Sequence, residues 1–436
     1  MRDILITLIV FGSLPFIFKR PYIGVLMWIW ISVMNPHRLS YGFAYDFPFA
    51  LVVAVVTLAS LVLTKQPKRL PMTPVIIALL LFTAWMPVTT LCALFPAESQ
   101  EMLVRVLKIM TMTLVTVMLI KTKHQLYMTI WTLVGSLAYY GVKGGLFTVL
   151  TGGHSIVWGP EGSFIEGNNE LALALITIIP MIYCLLLDLD ARHVWARRAL
   201  ALGMLLCGMA AIGSYSRGAL LGIAAMALFL WWKSPKKALM GAVLVLVVPI
   251  AILFMPAQWG ARMDTIDTYQ QDSSAMGRIN AWHMAFNLAR ERPLVGGGYA
   301  IWTGSVFEQY APVPNDVHAA HSIYFQALGE HGFVGLGLYL LLAVLTWRKG
   351  SWVVRQVRLA KRPDLQWAAT TATMIQVSML GFGVGGAFLS LLYFDVPYYL
   401  MACMVCTGEL VGQALRSGPP VAAAGNDSRR AAPAPI

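Results

Sequence analysis

Two arginines and one histidine have the types and settings needed to grip an anion and move a proton. Arg217 sits in Ser214-Tyr215-Ser216-Arg217-Gly218, Arg278 in Ala275-Met276-Gly277-Arg278-Ile279-Asn280, and His321 directly before Ser322. A guanidinium fork is the side chain best matched to phosphate oxygens. An imidazole titrates near neutral pH, as a general base must. Together they suit a site that holds a diphosphate and deprotonates an attacking hydroxyl. Each also has a plainer role: Arg217 as a snorkelling anchor, Arg278 as a solvated loop charge, His321 as a position fixed by a Ser322 helix cap.

A second tier of residues could bind substrate around these three. His318 lies three residues before His321 and could share a helix face with it, but no third ligand stands at a suitable spacing, so no metal is expected. Lys143 beside Gly144-Gly145, and Arg105 with Lys108 one turn on, fall inside apolar runs, where charged groups usually line a polar cavity. These three suit an anionic lipid head group. Asn168 and Glu170, near Glu161 and Glu166, open another apolar run, and a carboxylate there could orient His321 or bind hydroxyls. Tyr324 and Arg290 complete the tier. The first outward loop holds no Asp-Asp or Asp-Xaa-Asp pair, which argues against metal-dependent lipid-phosphate glycosyltransferases. No Gly-rich phosphate loop or dinucleotide fingerprint occurs, and no cofactor is expected.

The elements that position these residues are dictated by composition. Of 436 residues, 58% are hydrophobic and 12% charged, and mean hydropathy is +0.68. Soluble domains run at about 45–50% apolar and about 25% charged. Apolar runs long enough to cross a hydrocarbon layer, roughly 17–25 residues, recur from end to end. The chain is therefore expected to be an all-α polytopic membrane protein with twelve or thirteen spans. The first two apolar segments, Ile4–Phe18 and Tyr22–Met34, are short and interrupted by Pro15 and Pro21, which suggests a hairpin or re-entrant pair. The net charge of +12 gathers in short loops as a topology signal, so nucleic acid is set aside. The five cysteines fall in apolar runs and read as packing residues.

Alternate loops carry Lys65/Lys68/Arg69, Lys121/Lys123, Arg192/Arg197/Arg198, Lys233/Lys236/Lys237 and the Arg348–Arg362 cluster. The positive-inside rule places these in the cytoplasm with the C-terminus, and the intervening loops outside. Four regions follow: transmembrane helices over 1–255, a large outer loop over 256–320, further transmembrane helices over 321–416, and a disordered tail over 417–436. The outer loop far exceeds an ordinary connection. Within it, Ala281–Glu291 has amphipathic spacing suited to the membrane surface, and Gly296-Gly297-Gly298 reads as a flexible turn.

At these residues the chain resembles the O-antigen ligase family of bacterial membrane glycosyltransferases, which also takes in O-antigen polymerases and protein O-oligosaccharyltransferases. The resemblance covers most of the chain. It rests on one large outer loop late in the sequence, Ser216-Arg217-Gly218 before it, Gly277-Arg278 and Trp282 within it, Pro293 to Gly298, and His321-Ser322-Ile323-Tyr324-Phe325-Gln326 with Glu330-His331-Gly332. Asn35-Pro36-His37-Arg38 and Gly167-Asn168-Asn169-Glu170 are more similar to the O-glycosylation ligase branch associated with exosortase systems.

The resemblance implies a GT-C-like fold of about twelve transmembrane helices in the bacterial inner membrane. It implies glycan transfer from undecaprenyl diphosphate to lipid A-core on the periplasmic face, inverting and without nucleotide sugar or metal. His321 would activate the acceptor while Arg217 and Arg278 hold the diphosphate. O-antigen polymerase and protein O-oligosaccharyltransferase are the neighbouring readings, and monomer is the default state. A secondary transporter is the non-enzyme alternative, but its charges would spread over the midplane of several spans, and no internal repeat relates the two halves.

Overall fold

The computed structural model describes residues 1–64, 68–234, 236–238, 241 and 273–417. The expected span Ala238–Phe254 apart from Ala238 and Gly241, the outer loop over 256–272, Lys65 and the tail beyond Ser417 lie outside the described residues. Among the described residues the chain is helical and contains no strand. We number the helices α1 (Arg2–Lys19), α2 (Tyr22–Ile29, continued by a π turn to Met34), α3 (Phe49–Leu63), α4 (Pro74–Leu91), α5 (Pro96–Leu119), α6 (Lys123–Leu150) and α7 (Asn168–Asp188). They continue as α8 (Val194–Gly213), α9 (Arg217–Lys233), α10 (Ser273–Glu291), α11 (Gly304–Tyr310), α12 (Ile323–Ala360), α13 (Gln366–Gly385) and α14 (Asp395–Arg416).

Seven of these have the length and apolarity to cross a membrane: α4 to α8, α12, and the stretch Pro363–Phe388 that contains α13. The expected count of twelve or thirteen is higher because it also includes α1, α14, the shorter α2 with its π turn and α3, α9 at 17 residues, and the span Ala238–Phe254. Pro15 lies inside a continuous α1 rather than interrupting it. Ser60 of α3 donates to the Ile17 carbonyl in the last turn of α1 at 2.8 Å. The chain reverses at Arg20–Pro21 and α2 packs back on α1 as a hairpin.

α7 is apolar all round and buried from Leu171 to Ile178, the pattern of a central helix. α6 and α8 pack against it and against each other. Gly145 makes that approach possible, since a Cβ there would run into the Leu206 backbone carbonyl. Small residues at such crossings let membrane helices pack by backbone contact.

The hydrogen bonds that close the loops divide the bundle into two ends. At one end Lys123 pairs with Asp188 at 2.7 Å, Lys121 donates to the Arg69 carbonyl at 3.3 Å, Lys349 pairs with Glu409 at 3.5 Å and Arg362 with Asp364 at 2.6 Å. This end collects the basic loops. At the other end Asn168 donates to the Ser214 carbonyl at 2.7 Å, Gly218 packs against the Gly385 carbonyl and the His321 amide donates to Ser390 Oγ at 2.8 Å. This second end brings together the starts of α7, α9 and α12 and the finish of α8 and α13.

Two expectations for the outer loop need correction. The helix there is longer, Ser273–Glu291, and it buries Ala281, Met284, Ala285, Leu288 and Ala289 against protein. It packs on α11 and α12 rather than resting its apolar face on a membrane surface. Phe286 on the same helix is exposed. The glycine run is not a flexible turn. Gly297 and Gly298 donate to the Gly329 and Glu330 carbonyls at 2.9 and 3.0 Å, and the Gly297 carbonyl accepts from the Leu94 amide at 2.9 Å. Gly298 has φ +84°, and a Cβ there would run into Ala93 and Ser99, so the position calls for glycine because of close approach and backbone sign.

Candidate functional site

Arg217 is the first residue of α9, and the turn before it is fastened from three sides. Ser216 caps the helix by accepting from the Ala219 amide at 3.2 Å, which is the usual role of serine at that position. Asn168 holds the Ser214 carbonyl. Tyr215 adopts φ 60° and donates its hydroxyl to the Gly153 carbonyl at 2.6 Å. A left-handed tyrosine costs of order 1–3 kcal/mol and persists where surrounding contacts over-determine it. Arg217 therefore leaves the backbone from a fixed point.

Arg278 is carried by α10, which is stitched to the chain leading into His321. Asn280 donates to the Val313 and Asp316 carbonyls at 2.8 and 2.9 Å and accepts from the Val313 amide at 2.9 Å. Trp282 donates to the Ala320 carbonyl at 2.8 Å and stacks on Phe325 with ring centres 5.0 Å apart and planes 5° apart. Asn280 and Trp282 are positioning residues whose part the sequence left unassigned.

Arg217 and Arg278 line one cavity of about 550 Å³, walled by Leu220, Leu221, Ile279, Trp282 and Phe388. Ligand cavities of this kind span about 300–1,000 Å³. Apolar walls with two guanidinium groups match an amphiphile that carries an anionic head. His321 is held beside Arg278: the Arg278 charge acts on its imidazole, and Trp282 grips its neighbour Ala320. Its backbone takes φ 40°. Burial, then the charges of Arg278 and His318, push the imidazole down to about 4. The ring is thus neutral at pH 7, and its buried Nδ1 has no hydrogen-bond partner among the described residues.

The second-tier residues separate. His318 pairs with Asp316 at 2.7 Å and its ring packs against Gly277, so the carboxylate engages His318 and not His321. Glu170 lies within reach of the Arg278 charge. Asn168 serves the Arg217 turn, and Tyr324 donates to the Gly383 carbonyl at 2.8 Å, tying α12 to α13. Arg290 is exposed, about three turns beyond Arg278 on α10. Arg105 and Lys108 line a different cavity, on α5, and Lys143 lines a third, on α6.

One buried network was not assigned a part from sequence. Glu330 accepts from Tyr393 at 2.5 Å and from Trp302 at 2.9 Å. Tyr393 also meets His331 Nε2 at 2.6 Å, and His331 Nδ1 meets Thr89 at 2.7 Å. With Gly297 and Gly298 bonded to the adjacent carbonyls, it locks the loop after α10 onto α12 just before the helix breaks at Gly332. The only sequence signal was Glu330-His331-Gly332 itself.

These features define a multi-pass helical membrane protein with an amphiphile-sized, doubly cationic cavity at one end. Residues 202–340 match the family model described as O-antigen ligase, and residues 1–188 match one described as a family of unknown function. No curated protein matches the chain. The match supports membership of the O-antigen ligase family, whose class of chemistry is glycosyl transfer of the ligase or polymerase type. Arg217, Arg278, His321 and Glu330 all fall inside the O-antigen ligase match, whereas Arg105, Lys108, Lys143, Asn168 and Glu170 fall inside the other.

Proposed function

We propose that this protein transfers a glycan from undecaprenyl diphosphate to a sugar hydroxyl of lipid A-core, at the periplasmic face of a bacterial inner membrane. The observation that carries the reading is the shared cavity of Arg217 and Arg278 with a neutral His321 beside it. The segregation of basic loops to the far end of the bundle supports the orientation, because cytoplasmic loops carry excess Lys and Arg.

In this reading His321 takes the proton of the acceptor hydroxyl as its oxygen bonds to the anomeric carbon of the glycan. The bond from that carbon to the diphosphate oxygen breaks, and undecaprenyl diphosphate leaves with the electron pair. Arg217 and Arg278 stabilise the charge that develops on the leaving group, as preorganised donors do in a water-poor site. Attack opposite the leaving group inverts the anomeric centre.

The test is complementation of a strain lacking its own ligase, with wild type, His321→Ala and Arg217→Ala at matched membrane abundance. Long-chain glycan on lipid A-core from wild type alone supports the assignment. Bare lipid A-core with glycan lengthening on the carrier lipid would replace it with a polymerase, and glycan on periplasmic proteins with an oligosaccharyltransferase.

A further inference from the structure

A second cavity, of about 580 Å³, adjoins the first across a single wall. Ile156 lines the second cavity and Leu220 lines the first, and both pack on Tyr215. The residue that fixes the Arg217 turn is therefore also the partition between the two spaces. The second cavity is apolar, walled by Tyr140, Leu146, Phe147 and Trp158, and carries one cation, Lys143.

Depth along α6 says what Lys143 faces. It lies twenty residues beyond Lys123, which at about 1.5 Å per residue is about 30 Å, the thickness of a hydrocarbon core. Lys123 is paired at the basic end of the bundle, so Lys143 stands at the opposite polar boundary, where lipid phosphates lie. Among the described residues no carboxylate pairs with it. Trp158 beside it is largely exposed, as tryptophans at a membrane interface are. A cation at the head-group level above apolar walls is complementary to an amphiphile bearing phosphate.

We propose that this cavity seats the second substrate, a phosphate-bearing glycolipid whose phosphate meets Lys143, with its sugar directed over Tyr215 toward His321. The donor and acceptor are both amphiphiles, and each would then have its own cavity and its own cation. Calling this lipid the acceptor rests on the transferase reading, whereas its binding at Lys143 does not.

The experiment measures equilibrium binding to the full chain in phosphatidylcholine nanodiscs. The probes are bis-phosphorylated lipid A, the same lipid dephosphorylated, phosphatidylglycerol and undecaprenyl diphosphate. A hydrogen bond between charged partners contributes about 1.5–3 kcal/mol, so Lys143→Gln should weaken lipid A binding about tenfold or more. Leu146→Trp, which fills the cavity from its exposed rim, should do the same. Both variants should bind undecaprenyl diphosphate as wild type does, and Arg217→Ala should show the reverse pattern. Unchanged lipid A affinity in both cavity variants overturns the proposal, as does equal binding of dephosphorylated lipid A or phosphatidylglycerol. Lipid A binding that depends on Lys143, with undecaprenyl diphosphate binding indifferent to Arg217, would sink the donor assignment and leave this site standing.

Discussion

Trp282 donates its indole N–H to the carbonyl of Ala320 at 2.8 Å, so the helix that carries Arg278 and the residue before His321 move as one piece. Trp282 also lines the cavity and stacks on Phe325 in the first turn of α12. One side chain thus sets the spacing between the proposed anion clamp and the proposed base. Misplacement by about 1 Å costs on the order of a hundredfold in rate. Trp282→Phe, which keeps a ring to stack but loses the donor, should lower turnover about tenfold at unchanged membrane abundance. Trp282→Ala should lower it further. In vitro transfer rates check this, and a Trp282→Phe enzyme with full turnover would show that the bond is dispensable.

The titration of His321 gives the reaction a pH signature. With the imidazole held at about 4 by burial and by Arg278 and His318, the base form dominates across neutral pH. kcat/KM, which reports the free enzyme, should be flat from pH 8 down to about pH 5 and fall as pH approaches 4. A bound diphosphate adds negative charge, so the fall in kcat should begin at higher pH than the fall in kcat/KM. His321→Ala should lose about 10²–10⁴-fold together with this acid limb. The same group affects stability: between its ordinary 6.5 and about 4 the unfolded chain binds more protons, so stability falls as pH is lowered through that window.

Glu330 and Tyr393 should behave as a coupled structural pair. Glu330→Leu strands the buried Tyr393 donor, at about 1–3 kcal/mol for an unsatisfied group, and also removes the partner of the half-buried Trp302 indole. Tyr393→Phe removes one donor and should cost less. The double variant should be milder than the sum, by more than about 0.5 kcal/mol, because the residues share one network. Thermal unfolding in detergent measures all three, and strict additivity would break the network interpretation.

Gly298→Ala should destabilise the join between the outer loop and the turn from α4 to α5. The left-handed backbone alone costs alanine about 1–3 kcal/mol, and the new Cβ would press on Ala93 and on Ser99 Oγ at 2.9 Å. A lowered Tm with earlier proteolytic cutting after α10 is the expected result. An unchanged Tm would show that the loop is held by its other contacts alone.

Much of this architecture was legible in one dimension because it reports partition into a membrane. Long apolar runs, basic loops at alternate junctions and a single long polar segment are local properties of the chain. Arg217 and His321 could be singled out by type and by position at the edges of those runs, Arg278 by type within the long polar segment, and Ser322 as the cap that starts α12.

What the residue order left open was every relation across the bundle. Lys143, Arg105 and Lys108 look alike in sequence, yet they line two different cavities because they stand on different helices with different neighbours. His318 and His321 could not be told apart until the fold placed Asp316 on one and Arg278 beside the other. The glycines at 296 to 298 suggest freedom, since nothing in their own side chains restrains them, but the neighbours that crowd them come from the turn between α4 and α5, from α5, α10 and α12. Hydropathy and helix periodicity are set by each residue and its near neighbours. The shared cavity of Arg217 and Arg278 and its Tyr215 partition arise only when apolar faces far apart in sequence pack together and fix which polar groups meet.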